Sequence, residues 1–216
     1  GPDLIKIAQD LKQEYGEELA HKDKAETYSF FRQYGLQAEL AKLKADLAAF
    51  GVEFDVWTSE QSIYDRGMVD KALNTLKAQG MTYESEGALW LRTTDFGDDK
   101  DRVLVKSDGS YTYLTPDIAY HVDKFDRGYD KLIDFFGADH HGYIARLKAA
   151  VQSLGKNKDD LEVDIIQMAR MVKDGEEFKM SKRTGKAVAL KDLVEEAGRL
   201  FNIKRSILSL ENMPII

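Results

Sequence analysis

Three short stretches of this sequence gather side chains whose types and spacing could do chemistry. The first, Phe178-Lys179-Met180-Ser181-Lys182-Arg183-Thr184-Gly185-Lys186, packs four cations into eight residues beside a glycine. Ammonium groups on a pliable loop can follow negative charge as it builds on a transferring phosphorus centre, and glycine lets backbone approach a phosphate closely. On charge alone, a solvated surface loop accounts for the same residues. The second stretch is Phe136-Gly137-Ala138-Asp139-His140-His141-Gly142-Tyr143. It leaves a predicted parallel strand and opens a helix, the place where open α/β sheets bind ligands. Polar groups lining a nucleotide pocket are one reading and helix capping is the other. A metal site is disfavoured, because consecutive side chains rarely converge on one ion. The third stretch runs from Tyr111 through Tyr113, Thr115, Pro116 and Asp117 to Tyr120. A fixed carboxylate flanked by tyrosine hydroxyls can hold a guanidinium by charge-assisted hydrogen bonds. An acidic residue in the first turn of a helix is equally explained by the macrodipole, and spacing does not choose between the two.

The elements that must position these groups follow from hydrophobic period. Leu4, Ala8, Leu11, Tyr15 and Leu19 recur at helical spacing, as do Leu36, Leu40, Leu43, Leu47 and Phe50 ahead of Gly51, a suitable helix cap. The first fifty residues therefore read as two or three helices, the second stripe packing on its own domain rather than forming a short coiled coil. Val52 to Trp57 alternates like a strand, and a helix over Val69, Leu73 and Leu76 should end near Gly80. Four β-rich runs come next, Met81 to Tyr83, Ala88 to Leu91, Arg102 to Lys106 and Tyr111 to Leu114, the last two joined across Asp108-Gly109. Thr115-Pro116 reads as a capped helix start, that helix running to about Gly128. A strand over Leu132 to Phe136, a helix from about Tyr143 to Gly155 and a strand over Val163 to Gln167 then suggest parallel strands with a crossover helix. The expected fold class is α/β, with a doubly wound parallel sheet, a helical piece before it and a small antiparallel insertion.

Composition limits what such a chain can be. At 216 residues it has room for one substantial core, or a core with a satellite. Its net charge of -7 disfavours nucleic-acid binding by the surface as a whole, so any such contact must be local. Without cysteine it can form neither disulfides nor thiolate metal sites. No apolar run approaches the length of a membrane span and no leader pattern opens the chain, so a soluble, cytoplasmic protein with no membrane partner is expected.

Taken together, the stretches resemble class I aminoacyl-tRNA synthetases, the arginyl enzymes of bacteria in particular. Lys179-Met180-Ser181-Lys182-Arg183 matches the Lys-Met-Ser-Lys-Ser signature of that class in its first four positions. Phe54 to Glu60, Tyr113 to Ala119, Gly137 to Tyr143 and Ile166-Gln167-Met168 are similar to arginyl-enzyme blocks, in the same order. The resemblance spans about Asp3 to Gly198 and implies the second half of a Rossmann-like catalytic domain. It divides the chain into a helical insertion segment over 1–50, a catalytic core over 51–198 with a β-rich insertion at about 81–114, and an atypical tail over 199–216.

What the resemblance implies is ATP-dependent activation of arginine and transfer of the arginyl group to tRNA. Lys179 and Lys182 would be catalytic, Lys182 the more so. Asp139, His140, Gly142, Met168, Met180 and Ser181 would meet ATP; Tyr113, Asp117 and Glu60 would meet arginine. Mg²⁺ would accompany ATP, held mainly through its phosphates. The sequence departs from the class in having no His-Ile-Gly-His type motif, its four histidines being His21, His121, His140 and His141. A fragment inactive by itself is the expectation, with self-association through an unpaired sheet edge. A non-catalytic module that binds nucleotide or arginine is the alternative.

Overall fold

The computed structural model describes residues 2–167 and, beyond them, 172–173, 176–177 and 194–195. The described chain divides into two compact units, residues up to Asp55 belonging to one and Val56–Glu177 forming the other. Lys179, Met180, Ser181, Lys182 and Met168 lie outside the described residues, as does the predicted tail.

In the first unit, α1 (Pro2–Tyr15) and α2 (Lys24–Ala49) are joined by a single 3₁₀ turn. The Asp23 carboxylate accepts from the Ala25 amide at 2.7 Å and caps α2. At the other end Gly51, at φ 81°, donates to the Ala48 carbonyl while Val52 donates to Leu47, the glycine cap expected there. Tyr15 meets Phe30 edge-on at 5.3 Å, and Lys42 pairs with Asp3. The expectation that the leucine stripe is packed away is not met, since Leu36 and Leu43 stay exposed. Length gives the reason: α1 is roughly 21 Å long against roughly 39 Å for α2, so it covers only part of its neighbour.

Between α2 and the next helix the chain forms no regular element. Val52 to Trp57 is not a strand; alternation alone cannot hold one, and among the described residues no ladder includes it. A six-residue helix, α3 (Glu60–Asp65), follows, then α4 (Met68–Ala78). Met68, Val69, Ala72, Leu73 and Leu76 are buried at the helical spacing anticipated for α4.

Strands β1 (Thr82–Ser85), β2 (Ala88–Leu91) and β3 (Arg102–Val105) form an antiparallel sheet in that order. Glu86 and Gly87, at φ 53° and 74°, make the two-residue turn between β1 and β2. Positive φ at both positions matches the twist of the flanking strands. The fourth predicted run does not become a strand. Tyr111 makes one bridge to Val105, after which Thr112 Oγ1 donates to the Val103 carbonyl at 2.7 Å and the chain turns into α5 (Leu114–Asp126).

The start of α5 also differs from the expected cap. Thr115 lies inside the first turn and its hydroxyl donates to the Leu104 carbonyl of β3 at 2.7 Å, so it ties helix to sheet. Pro116 sits in the first turn too, where an amide hydrogen has no intrahelical partner to lose. Strands β4 (Leu132–Gly137) and β5 (Leu161–Ile166) pair in parallel, Leu132 opposite Leu161 through Gly137 opposite Ile166, with α6 (Ile144–Ser153) between them in sequence. This is the parallel strand, helix and strand arrangement that the sequence predicts. Two hydrophobic clusters support it, one joining α4, α5 and the antiparallel sheet, the other joining β4, α6 and β5.

Candidate functional site

Helix α5 is the platform of the site. Leu114, Ile118, Ala119 and Val122 turn into the larger cluster, with Ile118 1% exposed, and this leaves Asp117 on the open side. Beneath it, the His121 ring is buried between two acceptors. Its Nδ1 lies 2.7 Å from the Asp117 carbonyl and its Nε2 2.9 Å from Asp134 Oδ2. A carbonyl can only accept, so Nδ1 carries a proton. Lys124 Nζ donates to the other oxygen of Asp134 at 2.6 Å. Burial pushes the Asp134 carboxyl up, but the hydrogen bonds and charges of His121 and Lys124 outweigh it and bring its pKa down to about 2. The first turn of α5 is thereby tied to β4 through an ionised, hydrogen-bonded group.

Above the platform lies a cavity of about 320 Å³ lined by Thr58, Glu60, Tyr113, Pro116, Asp117 and Tyr120 among others. A second hollow of about 440 Å³ shares Glu60, Tyr113 and Pro116 and adds Tyr64, Lys106 and Tyr111. The three residues assigned to arginine from the sequence, Glu60, Tyr113 and Asp117, thus border one cavity although they come from α3, the turn before α5 and α5 itself. Tyr113 is 90% exposed and stands at the rim. Two carboxylates, Glu60 and Asp117, border the cavity, and the Tyr64 phenol of the second hollow is pushed up, by burial first and then by its acidic neighbours Glu60 and Asp117.

One partner was not foreseen. Tyr143, at the end of the Ala138–Tyr143 turn, donates its hydroxyl to Asp117 Oδ2 at 2.5 Å. Burial and this acceptor push the Tyr143 phenol far up, so it stays a donor. Twenty-six residues separate the two, and nothing in local spacing points to the pair.

The stretch assigned to ATP looks different. Asp139, His140 and Gly142 lie in the same exposed 3₁₀ turn after β4. His140 Nε2 is 3.7 Å from Asp139 Oδ2, and the His140 ring meets Phe136 edge-on. A Cβ at Gly137 would come within 2.7 Å of Asp139 Oδ1, so the Asp139 carboxylate folds back over that glycine. The turn presents polar groups at the carboxyl end of a parallel strand and before a helix, where an α/β sheet receives ligands. Among the described residues no group of three or more His, Cys, Asp or Glu is placed to hold a metal.

A parallel strand pair spanned by a helix, with a small antiparallel sheet beside it, is an α/β architecture. The comparisons with known proteins go further. The family described as tRNA synthetases class I (R), catalytic domain, matches residues 3–211. Arginine–tRNA ligase 1 of Halalkalibacterium halodurans is 60% identical over 198 residues, which is 92% of this chain and 36% of the relative. The arginine–tRNA ligase of Bacillus subtilis is 58% identical over the same shares. A structure described as an arginyl tRNA synthetase from Campylobacter jejuni superimposes with a TM-score of 0.77 at 38% identity, covering 89% of this chain and 41% of that one. The Thermus thermophilus arginyl-tRNA synthetase, 16% identical, shares the fold with a TM-score of 0.65. The chain belongs to the catalytic-domain family of class I arginyl-tRNA synthetases, and it spans about a third of the length of the curated relatives it matches.

Proposed function

We propose that this chain is the part of an arginine–tRNA ligase that holds the side chain of arginine and one side of ATP. The observation that carries the reading is the cavity over α5, which Asp117 lines together with Glu60 and Tyr113 and where the Asp117 carboxylate accepts from Tyr143. A guanidinium is a planar cation with donors in a fixed fork, and a fixed carboxylate among tyrosines suits it. Asp139, His140 and Gly142 would border the adenosine, with Met168, Met180 and Ser181 completing that side. In the complete reaction the arginine carboxylate attacks the α-phosphorus of ATP, releasing pyrophosphate. The arginyl group then passes from the adenylate to a ribose hydroxyl of tRNA, releasing AMP. Lys179 and above all Lys182 would offset the charge that develops on phosphorus. Mg²⁺ would come with ATP and be held by phosphate oxygens and water, since the described residues offer it no carboxylate cage.

By itself the chain should not complete this reaction, because it has no His-Ile-Gly-His type motif to hold the phosphates from the other side. That same feature favours a second reading, a module that binds arginine without activating it. The described parallel sheet has only two strands, so its edges could pair with another strand of the same enzyme or a second copy. A cytoplasmic setting suits a ligase of this kind, and no helix among the described residues is long and apolar enough to cross a membrane.

Calorimetric titration with arginine tests the site. Asp117→Asn should weaken binding by about tenfold or more, the worth of a hydrogen bond to a charged group, and citrulline, which lacks the charge, should not bind. Unaltered affinity with only a lowered melting temperature would return Asp117 to the role of helix-dipole partner. Pyrophosphate exchange run with tRNA, arginine, ATP and Mg²⁺ separates the two readings: background rates are expected of the chain alone.

A further inference from the structure

We propose that Tyr143 is a positioning residue for arginine recognition, its hydroxyl fixing the Asp117 carboxylate in the orientation that meets the guanidinium. The inference rests on the reading of Asp117 as the guanidinium partner. The geometry is specific. Tyr143 reaches Asp117 Oδ2 at 2.5 Å, and it is not among the residues that line the cavity over Glu60 and Asp117; it lines a separate hollow with Tyr113, Leu114 and Arg146. It therefore acts through Asp117 and leaves Oδ1 for the ligand.

The ring itself is held on several sides. Phe136 of β4 lies 6.3 Å away in a tilted contact, the Arg146 guanidinium of α6 sits 5.2 Å over its face, and both hydrophobic clusters pack against it. An aspartate side chain on an open helix face has several rotamers, and ordering one on ligand binding costs free energy. A hydrogen bond from a ring locked by its neighbours removes that cost before arginine arrives. Tyr143 also closes the turn that carries Asp139 and His140, so the group that orients Asp117 belongs to the segment assigned to ATP. This gives a physical reason for a tyrosine where that turn meets α6.

The test uses the chain as it is, with arginine as the probe. Tyr143→Phe keeps the ring and removes the donor, and should weaken arginine binding about tenfold in calorimetry, the worth of one hydrogen bond to a charged acceptor. A second measurement needs no ligand and does not depend on that variant folding. With carbon-13 at the tyrosine ζ position, the Tyr143 signal should stay that of the un-ionised phenol as pH is raised, and Asp117→Asn should shift that ζ-carbon resonance at neutral pH, where it reports the hydroxyl's hydrogen bond. A role in packing alone would not move that signal. If Tyr143→Phe binds arginine as tightly as the unaltered chain while Asp117→Asn does not, the positioning role is wrong and the guanidinium site stands. If arginine does not bind, or binds Asp117→Asn as well as the unaltered chain, the guanidinium reading itself falls and takes this role with it. If the ζ-carbon resonance ignores Asp117→Asn, the bond is absent in solution and the inference fails.

Discussion

The two stretches that converge on Tyr143 are built in opposite ways. Asp117 rides on a helix whose inner face is buried in a core, and its carbonyl and carboxylate are each engaged, by His121 and Tyr143. Asp139, His140 and Gly142 sit on an exposed turn where, among the described residues, His140 meets Asp139 and the Phe136 ring. A group held from within is preorganised and offers a ligand a fixed partner; a group held from outside takes its final geometry from what binds it. The difference predicts that damage to the first region appears in folding stability and in binding together, and damage to the second in binding alone.

The largest effect should come from undermining the platform. Ile118 is 1% exposed and packs one residue from Asp117. Ile118→Ala should destabilise the chain by about 2–5 kcal/mol, as core truncations to alanine do, measured by urea unfolding. A loss under 1 kcal/mol would mean that α5 is not anchored as described, and the contrast between the two regions would lose its basis.

A smaller effect should appear with acid. The Asp134 carboxyl has its folded pKa at about 2, below the ordinary value of about 3.9, and its side chain is 12% exposed. A depressed carboxylate contributes stability above its unfolded pKa and loses it as pH falls through the folded one. Between pH 4 and pH 2 the unaltered chain should lose about 2 kcal/mol that the Asp134→Asn variant does not. Parallel pH profiles for the two chains would show instead that the His121–Asp134–Lys124 group stores no such energy.

Local signals in the sequence account for most of this second unit. The apolar period of α4, the Asp108-Gly109 turn and the separate runs that become β4, α6 and β5 each depend on residues a few positions apart, which is the range that period and turn chemistry cover, and the parallel pairing follows from the order of those elements. Val52 to Trp57 shows the limit, because its alternation is local but a strand is not. Thr115 shows another: its hydroxyl is spent on Leu104, a residue of a different element, so a cap motif read locally became a tertiary contact. For the site, Tyr113 and Asp117 were legible as residue types and by resemblance and Glu60 by resemblance alone, and the structure brings the three to one cavity. Tyr143 was not, since a hydrogen bond across twenty-six residues has no signature until the fold closes it.

The smallest stability effect is predicted for His140, and there its absence is informative. The side chain is 66% exposed, its ion pair with Asp139 spans 3.7 Å, and exposed pairs of that kind contribute little. His140→Ala should therefore change unfolding free energy by less than about 0.5 kcal/mol. If the turn borders the adenosine of ATP, the same variant should lose about fivefold in ATP affinity by calorimetry, the worth of one hydrogen bond. A histidine that only supported the start of α6 would give the reverse, lower stability with unchanged ATP binding. With Asp117→Asn run beside it against arginine, the pair of variants asks whether this unit divides its ligands between one site fixed from within and another completed by what it binds.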